Sequence, residues 1–226
     1  MYSILEHYLS TNHILMIGMI VTFILTFFLL EHPFSFLPSD QGRAFAVNGS
    51  LSKGKLRGVG FIFVLCFLIS SVLFLPLDVE YVIYGILLFA MMISGYLDDA
   101  SKTPWNEYKK GLIDLVISVV AVLTYMNFNS TTICFGADEI VIPKALFLIL
   151  GVILIWVSVN VTNCTDGVDG LCASLCSVTL LAFGVLFAPI LQKYAMANFL
   201  FLSVLFAYLY FNSSPSSMLM GDAGSR

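Results

Sequence analysis

Three acidic motifs follow apolar segments of this chain, and their residue types suit phosphate chemistry assisted by a metal ion. The motifs are Gly95–Asp99, Asn163–Gly170 and Met220–Ser225, and each stands at the end of an apolar run long enough to cross a bilayer. Placing charge beside hydrocarbon is costly, so such carboxylates generally have a function. Carboxylates that converge on one membrane face suit a divalent cation, and a divalent cation suits a phosphate substrate. The motifs therefore predict a membrane enzyme that acts on a diphosphate.

The composition places the chain in the integral membrane class. Of its 226 residues, 59% are hydrophobic and 11% are charged, whereas soluble domains average about 25% charged residues. The chain has no long basic tract, which argues against nucleic-acid binding. A spanning helix needs about 20 apolar residues, and seven segments qualify, which predicts an all-α polytopic fold in a single membrane domain. The segments are roughly Thr11–Leu30, Gly58–Leu77, Tyr81–Leu97, Gly111–Phe128, Pro143–Val161, Leu171–Pro189 and Ala195–Phe211.

Lysine and arginine are distributed unequally between the two sets of connecting loops. Cytoplasmic loops of membrane proteins carry an excess of these residues. Eight of the ten follow the first, third or seventh segment, and only Lys144 and Lys193 lie in the other set of loops. The bias predicts an N-terminus outside the cell and all three acidic motifs on the cytoplasmic face. The outside stretch Asn129–Lys144 alternates enough to predict a short β-hairpin.

The loop between the first two segments is basic from Arg43 to Arg57. Such a loop can steer an anionic substrate towards a site. It can equally bind anionic lipid headgroups without taking part in catalysis. The sequence leaves both roles open.

The first motif ends in two adjacent aspartates. Neighbouring residues on a helix point about 100° apart, so Asp98 and Asp99 cannot both face one ion squarely. One of them can approach a metal while the other positions substrate or takes a proton. The alternative is a plain helix terminus that dips into water. Aspartate at a helix C-terminus opposes the macrodipole, however, and this unfavourable placement indicates a function.

The second and third motifs combine carboxylates with glycine. Asp166 and Asp169 are three residues apart, which places them on one face if the segment is helical. Asn160 and Asn163 add amide groups that can read a base or a sugar. The alternative is an Asx-rich turn in which one of the aspartates caps the following helix. Asp222 stands between glycines and suits a cation, with a surface turn as its alternative.

Together the motifs resemble those of the phospho-N-acetylmuramoyl-pentapeptide transferase family, a branch of the polyprenyl-phosphate N-acetylhexosamine-1-phosphate transferase superfamily. The resemblance covers nearly the whole chain. It rests on Gly95–Lys102, on Asn160–Leu171, and on Asn212 followed by Met220–Ser225. Thr165, directly before Asp-Gly, favours this branch over related sugar transferases.

The resemblance implies transfer of phospho-N-acetylmuramoyl-pentapeptide from its UDP derivative to undecaprenyl phosphate, with release of UMP, in a bacterial inner membrane. It implies that Asp98, Asp99 and Asp222 are catalytic and that Asp222 holds Mg²⁺. It also assigns substrate contacts to eight further residues. These are Lys53, Lys102, Lys110, Asn160, Asn163, Asp166, Asp169 and Asn212. Direct attack by the lipid phosphate and a covalent aspartyl intermediate are both chemically possible.

Some features depart from the family pattern. Lys55-Leu-Arg57 replaces the usual Thr-Pro-Thr stretch, and the usual basic residue a turn or two past Gly111-Leu112 is missing. The family continues beyond the third motif with further helices and a histidine-rich cytoplasmic loop. We therefore expect residues 1–226 alone to insert into a membrane without transferase activity and to bind nucleotide weakly or not at all.

Three alternative functions remain at this stage, and the resemblance also allows a homodimer. The first alternative is a transferase of another UDP-sugar phosphate, such as N-acetylglucosamine 1-phosphate, to the same lipid. The second is an inactive fragment. The third is a cation transporter, which the location of the acids at helix ends disfavours because transport sites tend to lie near the midplane.

Overall fold

Helices dominate the computed structural model of this chain, which describes residues 1–32, 34–40, 42, 52–101, 103, 105–135 and 138–226. The helices are α1 (Tyr2–Leu5), α2 (Thr11–Glu31), α3 (Gly60–Phe74), α4 (Val79–Asp99), α5 (Glu107–Phe128), α6 (Lys144–Thr165), α7 (Leu171–Phe187), α8 (Gln192–Asn212) and α9 (Asp222–Ser225). Strands β1 (Thr132–Phe135) and β2 (Asp138–Val141) lie between α5 and α6. They pair antiparallel, with Thr132 opposite Val141, which confirms the predicted hairpin.

Seven apolar helices, α2 to α8, coincide with the seven predicted segments. Five of them, α2, α4, α5, α6 and α8, have 21 or 22 residues and are long and apolar enough to cross a membrane. Helices α3 and α7 have 15 and 17 residues, so at about 1.5 Å per residue they fall short of a hydrocarbon core of about 30 Å. The all-α polytopic membrane fold is confirmed. The number of complete spans in the described residues is five by this length criterion, and the orientation of the N-terminus stays a prediction.

Local signals explain where two of the helices begin. The carboxylate of Asp78 accepts a hydrogen bond from the backbone N–H of Tyr81 at 2.9 Å, which caps the start of α4. Asn106 caps α5 in the same way by accepting from the N–H of Tyr108 at 3.0 Å. Asp and Asn are preferred at this position because they satisfy amide groups that have no partner within the helix. These caps set where α4 and α5 begin, and both helices contribute residues to the candidate site.

Helix α8 forms the centre of the bundle. It packs against α2, α3 and α7, and it is the most buried of the five long helices in the described chain. Tyr208 on α8 is fully buried, and its ring centroid lies 5.1 Å from that of Phe63 on α3. By contrast, α6 buries only Val152 and exposes Leu154 by 68%. An apolar helix that is exposed on most sides fits contact with lipid.

The last segment of the described chain folds back against the start of α3. The N–H of Leu219 donates to the carbonyl of Leu56 at 2.8 Å, and the N–H of Gly60 donates to the carbonyl of Met220 at 3.0 Å. Gly221 has a φ of +67°, and a side chain there would also collide with the carboxylate of Asp99. A side chain at Gly95 would overlap the backbone of residue 222. Glycine at these two positions therefore lets α9 lie directly on the last turns of α4.

Candidate active site

The first and third acidic motifs meet at one end of the bundle and share two cations. The ammonium of Lys110 lies 2.6 Å from Oδ2 of Asp98 and 3.0 Å from Oδ2 of Asp222. The guanidinium of Arg57 lies 2.8 Å from Oδ1 of Asp99 and 3.5 Å from Oδ1 of Asp222. Asp98 and Asp222 are buried, and the side chain of Asp99 is shielded from solvent although the residue as a whole is partly exposed. The carboxylates that the sequence nominated as catalytic therefore form one cluster, with each cation bridging two of them.

The two adjacent aspartates point to different partners, as the helical angle between them predicts. Asp98 accepts a hydrogen bond from the backbone N–H of Trp105 at 2.7 Å in addition to its ion pair with Lys110. Asp99 accepts from the N–H of Ala223 at 3.1 Å and from Arg57. Asp98 thus ties α4 to the start of α5, while Asp99 ties α4 to the first loop and to α9. The pair is more than a solvated helix terminus, because both carboxylates are anchored on several elements.

Asn163, near the end of α6, joins the cluster from a third side. Its amide donates to the hydroxyl of Ser225 at 2.8 Å and approaches Oδ1 of Asp222 at 3.4 Å. The carbonyl oxygen of the amide is the group that can accept from a ligand. The structure therefore brings this residue of the second motif to the carboxylate that was predicted to hold the metal.

The remaining part of the second motif is a turn and not a helix. Asp166 is the C-terminal cap residue of α6, and Gly170, with a φ of +75°, precedes α7 without a side-chain cap. The expectation that Asp166 and Asp169 share a helical face does not hold, because the helix has already ended. The alternative in which one of them caps the next helix does not hold either.

Asp169 anchors this turn to the first and last loops. Its Oδ2 accepts from the backbone N–H of Ser216 at 3.0 Å and lies 3.8 Å from the ammonium of Lys55. Lys55 also donates to the hydroxyl of Ser216 at 2.8 Å. Burial alone would raise the pKa of Asp169, but the hydrogen bonds from Ser216 and the charge of Lys55 hold that pKa below its ordinary value. Asp169 is consequently ionised at neutral pH.

Asn212 connects two backbone segments by hydrogen bonds. Its carbonyl accepts from the N–H of Gly170 at 3.0 Å, and its amide donates to the carbonyl of Met218 at 3.0 Å. The side chain is buried. These contacts place Asn212 as a link that holds the second and third motifs together, and its amide faces the backbone and not the carboxylate cluster.

Three other nominated residues are either exposed or outside the described residues. Asn160 is exposed and donates to the carbonyl of Trp156 in its own helix at 2.7 Å. Lys53 is exposed. Lys102 lies outside the described residues, as does Arg43 at the start of the basic loop.

Sequence reasoning did not nominate Arg57, Asp114 or Arg226 as site residues. The guanidinium of Arg226 lies 2.5 Å from Oδ1 of Asp114 on α5 and 3.9 Å from Oδ2 of Asp222. A carboxylate inside an apolar segment is expected to have a cationic partner. The position of Asp114 could therefore have indicated a buried ion pair. The identity of its partner could not be read from the sequence, because the two residues are 112 positions apart.

The cations control the ionisation of the central carboxylate. Burial would raise the pKa of Asp222, but Lys110 and Arg57 hold that pKa below its ordinary value. Burial would lower the pKa of Arg57, yet the carboxylates of Asp99 and Asp222 hold it above its ordinary value. Asp222 is therefore an anion at neutral pH, which is the state in which a carboxylate binds a metal ion.

The donor chemistry of Asp222 fits Mg²⁺. In the described part of the chain, no three His, Cys, Asp or Glu side chains are arranged to hold a metal ion by themselves. Mg²⁺ usually keeps several waters and takes one or two protein carboxylates together with substrate phosphates. An ionised Asp222 beside Asp98 and the amide of Asn163 offers oxygen ligands of this kind.

Comparison with known proteins identifies relatives of this chain. A phospho-N-acetylmuramoyl-pentapeptide-transferase of Treponema pallidum (strain Nichols) is 34% identical over 93% of this chain and 64% of its own length. Proteins of the same name from Wolbachia pipientis wMel and Dictyoglomus turgidum are 28% and 26% identical, over 74% and 94% of the chain and 54% and 70% of their own lengths. The chain thus spans 64% of the length of the Treponema relative. Residues 81–226 match glycosyl transferase family 4, and the chain belongs to that family.

Proposed function

We propose that this site transfers phospho-N-acetylmuramoyl-pentapeptide from its UDP derivative to undecaprenyl phosphate and releases UMP. The observation that carries the proposal is the two bridged pairs of carboxylates, in which Lys110 and Arg57 each connect Asp222 to one aspartate of α4. The names of the relatives support the choice of substrates. The bridging cations support phosphoryl transfer, because that chemistry depends mainly on positioning and on neutralising charge.

In this proposal, Arg57 and Lys110 exchange their carboxylate partners for phosphate oxygens when substrate binds. Guanidinium and ammonium groups bind phosphate by the same charge-assisted hydrogen bonds that they make with carboxylates. Asp98 and Asp99 hold the two cations in place until then. Binding of a diphosphate would therefore free the carboxylate of Asp222 from its ion pairs.

Asp222, with Asn163 beside it, would hold Mg²⁺ in the presence of substrate. The bound ion would supply neutralisation of the diphosphate and of the leaving phosphate of UMP. Asp98 stays hydrogen-bonded to the N–H of Trp105, so its carboxylate keeps a fixed direction towards the reacting phosphates. The chain thereby contributes orientation at Asp98 and Asp99 and charge at Arg57 and Lys110.

The surroundings of the cluster suit a substrate that arrives through the membrane. Leu97 directly precedes Asp98 on α4, and Leu112 follows Lys110 by two positions on α5. The two leucines are exposed by 50% and 61%. Exposed leucines beside a polar site can contact a polyprenyl chain while the phosphate reaches the cations. The excess of lysine and arginine in the same loops supports a cytoplasmic location of this end, where UDP-linked substrates are made available.

We assign the nucleotide to the side of the second motif. Asn163 reaches the cluster directly, whereas Asp169 lies on the neighbouring turn that Asn212 and Lys55 hold in place. Asp166 stands between them at the end of α6. A uridine held along this turn would place its diphosphate at Arg57 and Lys110.

The decisive experiment compares two sugar nucleotides in the full-length protein, purified in detergent with undecaprenyl phosphate. We expect Mg²⁺-dependent turnover of UDP-N-acetylmuramoyl-pentapeptide and none of UDP-N-acetylglucosamine, with loss of turnover after chelation of Mg²⁺. Release of UMP and formation of the lipid product are both measured. Turnover of UDP-N-acetylglucosamine alone would overturn the substrate assignment and favour the related transferases. Undiminished turnover after chelation would overturn the metal assignment.

A further inference from the structure

The guanidinium of Arg226 is buried, and only part of it is hydrogen-bonded. The side chain is 2% exposed, and its Nη2 lies 2.5 Å from Oδ1 of Asp114 and 3.3 Å from the carbonyl of Lys110. Its Nε and Nη1 are buried and have no hydrogen-bond partner among the described residues. Nη1 lies on the side of Asp222, 3.9 Å from Oδ2 of that carboxylate. An unmet donor on a charged group is therefore directed to the candidate active site.

A buried arginine with unmet donors calls for an anionic ligand. Arginine carries five N–H donors and keeps its charge, so each buried donor without an acceptor costs free energy. At 3.9 Å, the contact with Asp222 is an ion pair and not a hydrogen bond. The groups that match a planar guanidinium are carboxylate and phosphate. The carboxylate that Nη1 approaches, Asp222, already faces Lys110 and Arg57.

We propose that Arg226 binds a phosphate oxygen of the nucleoside diphosphate substrate and that Asp114 is its positioning residue. The proposal rests on the proposed function, because it assumes that a diphosphate enters this cluster. Arg57, Lys110 and Arg226 then each lie within 4 Å of Asp222, and each is held by a separate aspartate of α4 or α5. Asp114 fixes the direction of the guanidinium, so that Nη1 points to the phosphate before substrate binds. Pre-orientation of this kind reduces the entropic cost of binding.

The test measures the affinity of the full-length protein for UDP and for uridine by titration calorimetry in detergent with Mg²⁺. Arg226→Lys keeps a cation near Asp114 but removes the planar group with its several donors. The double variant Asp114→Leu with Arg226→Leu removes both charges together, so no unpaired charge stays buried. Lys144→Leu is the matched control, because it removes an exposed lysine at the start of α6, next to the hairpin and far from the cluster.

We expect both Arg226 variants to raise the dissociation constant for UDP by roughly 10- to 100-fold, as for the loss of hydrogen bonds to a charged group. The dissociation constant for uridine, which has no phosphate, should stay the same, and the control should match the unsubstituted protein for both ligands. If both Arg226 variants bind UDP as tightly as the unsubstituted protein, this inference is overturned, while the proposed function stands. A parallel loss of uridine affinity would also overturn it, since the residue would then act on the fold. Failure of the unsubstituted protein to bind UDP would overturn the proposed function together with the inference.

Discussion

Helix α4 carries a carboxylate cluster at each end, and the two clusters differ in how their acids are satisfied. At its C-terminal end, Asp98 and Asp99 depend on two cations that they share with Asp222. At its N-terminal end, the buried carboxylate of Glu80 accepts hydrogen bonds from neutral donors. These are Tyr84 at 3.0 Å, Asn129 at 2.7 Å and Tyr194 at 3.3 Å.

The difference separates a structural cluster from a site that can exchange partners. Neutral donors from α4, α8 and the end of α5 fill the oxygens of Glu80, and the nearby Lys193 has its shorter contact with Asp78, at 2.6 Å against 3.6 Å. Lys193 is also shared between two carboxylates, but Glu80 keeps its three neutral donors without it. At the other end, each cation is shared between carboxylates, and Arg226 retains unmet donors. Shared ion pairs can be replaced by a substrate anion, whereas a saturated carboxylate holds helices together.

The largest effect is expected for Asp222→Asn. The substitution keeps the size of the side chain and removes the charge that pairs with Lys110 and Arg57 and that the proposed Mg²⁺ site requires. We expect the proposed transferase activity to fall by at least about 100-fold, as for the loss of a group that stabilises transition-state charge. The exchange of UMP with the lipid product measures the effect, and thermal unfolding checks that the protein is folded. Asp138→Asn, an identical change on the exposed hairpin, should keep normal activity. Near-normal exchange in Asp222→Asn would remove Asp222 from the metal role.

Gly95→Ala is expected to have the next largest effect, because it acts on the contact between α4 and α9. A methyl group at position 95 would overlap the backbone of Asp222, so the two segments must separate. We expect activity to fall by roughly 10- to 100-fold, since displacing a site by about 1 Å can cost that much. Gly85→Ala on the same helix is the matched control, because its methyl group would meet only Leu68 at 3.8 Å. Equal activities of the two variants would show that the close approach of α9 is not needed.

Glu80→Ala tests the structural end of α4. The change leaves the donors of Tyr84, Asn129 and Tyr194 without their acceptor, and we expect a loss of stability of about 1–3 kcal/mol. The activity per folded molecule should be unchanged, because the two clusters are about 27 Å apart along the helix. Thermal unfolding and activity are measured on the same preparations, with Glu139→Ala on the exposed strand as control. A loss of activity without a loss of stability would contradict the assignment of this end as structural.

The smallest effect concerns the pH dependence at Asp169. Its pKa is held below the ordinary value in the folded protein, so its contribution to stability is fully present above the unfolded pKa of about 4. This contribution is lost as the pH falls through the lowered folded-state pKa. We expect Asp169→Asn to lose a few tenths of a kcal/mol at neutral pH, given the partial exposure of the ion pair with Lys55. The difference between the melting temperatures of the two proteins should therefore shrink as the pH falls from 7 to 3. A gap between them that widens towards acid would contradict this account.

Much of the architecture could be predicted from residue types alone. The seven apolar segments, the hairpin near Thr132–Val141 and the location of the acidic motifs at segment ends all follow from patterns within about 20 neighbouring residues. Hydrophobicity and helix geometry act at this range, so the sequence carries the information directly. The different directions of the Asp98 and Asp99 side chains could also be predicted, because they depend only on the angle between adjacent helical residues.

The partners of the site residues were decided by the tertiary structure. Arg57 meets Asp99 across 42 positions of the chain, and Lys110 and Arg226 meet Asp222 and Asp114 across 112 positions each. The sequence shows that a buried aspartate needs a cation, but helix packing determines which cation is near. The same holds for Asn212, whose motif position suggested a ligand contact and whose actual partners are the backbones of Gly170 and Met218. Residue chemistry therefore determined which groups could act in this protein, and the packing of α4, α5 and α9 determined which of them act together.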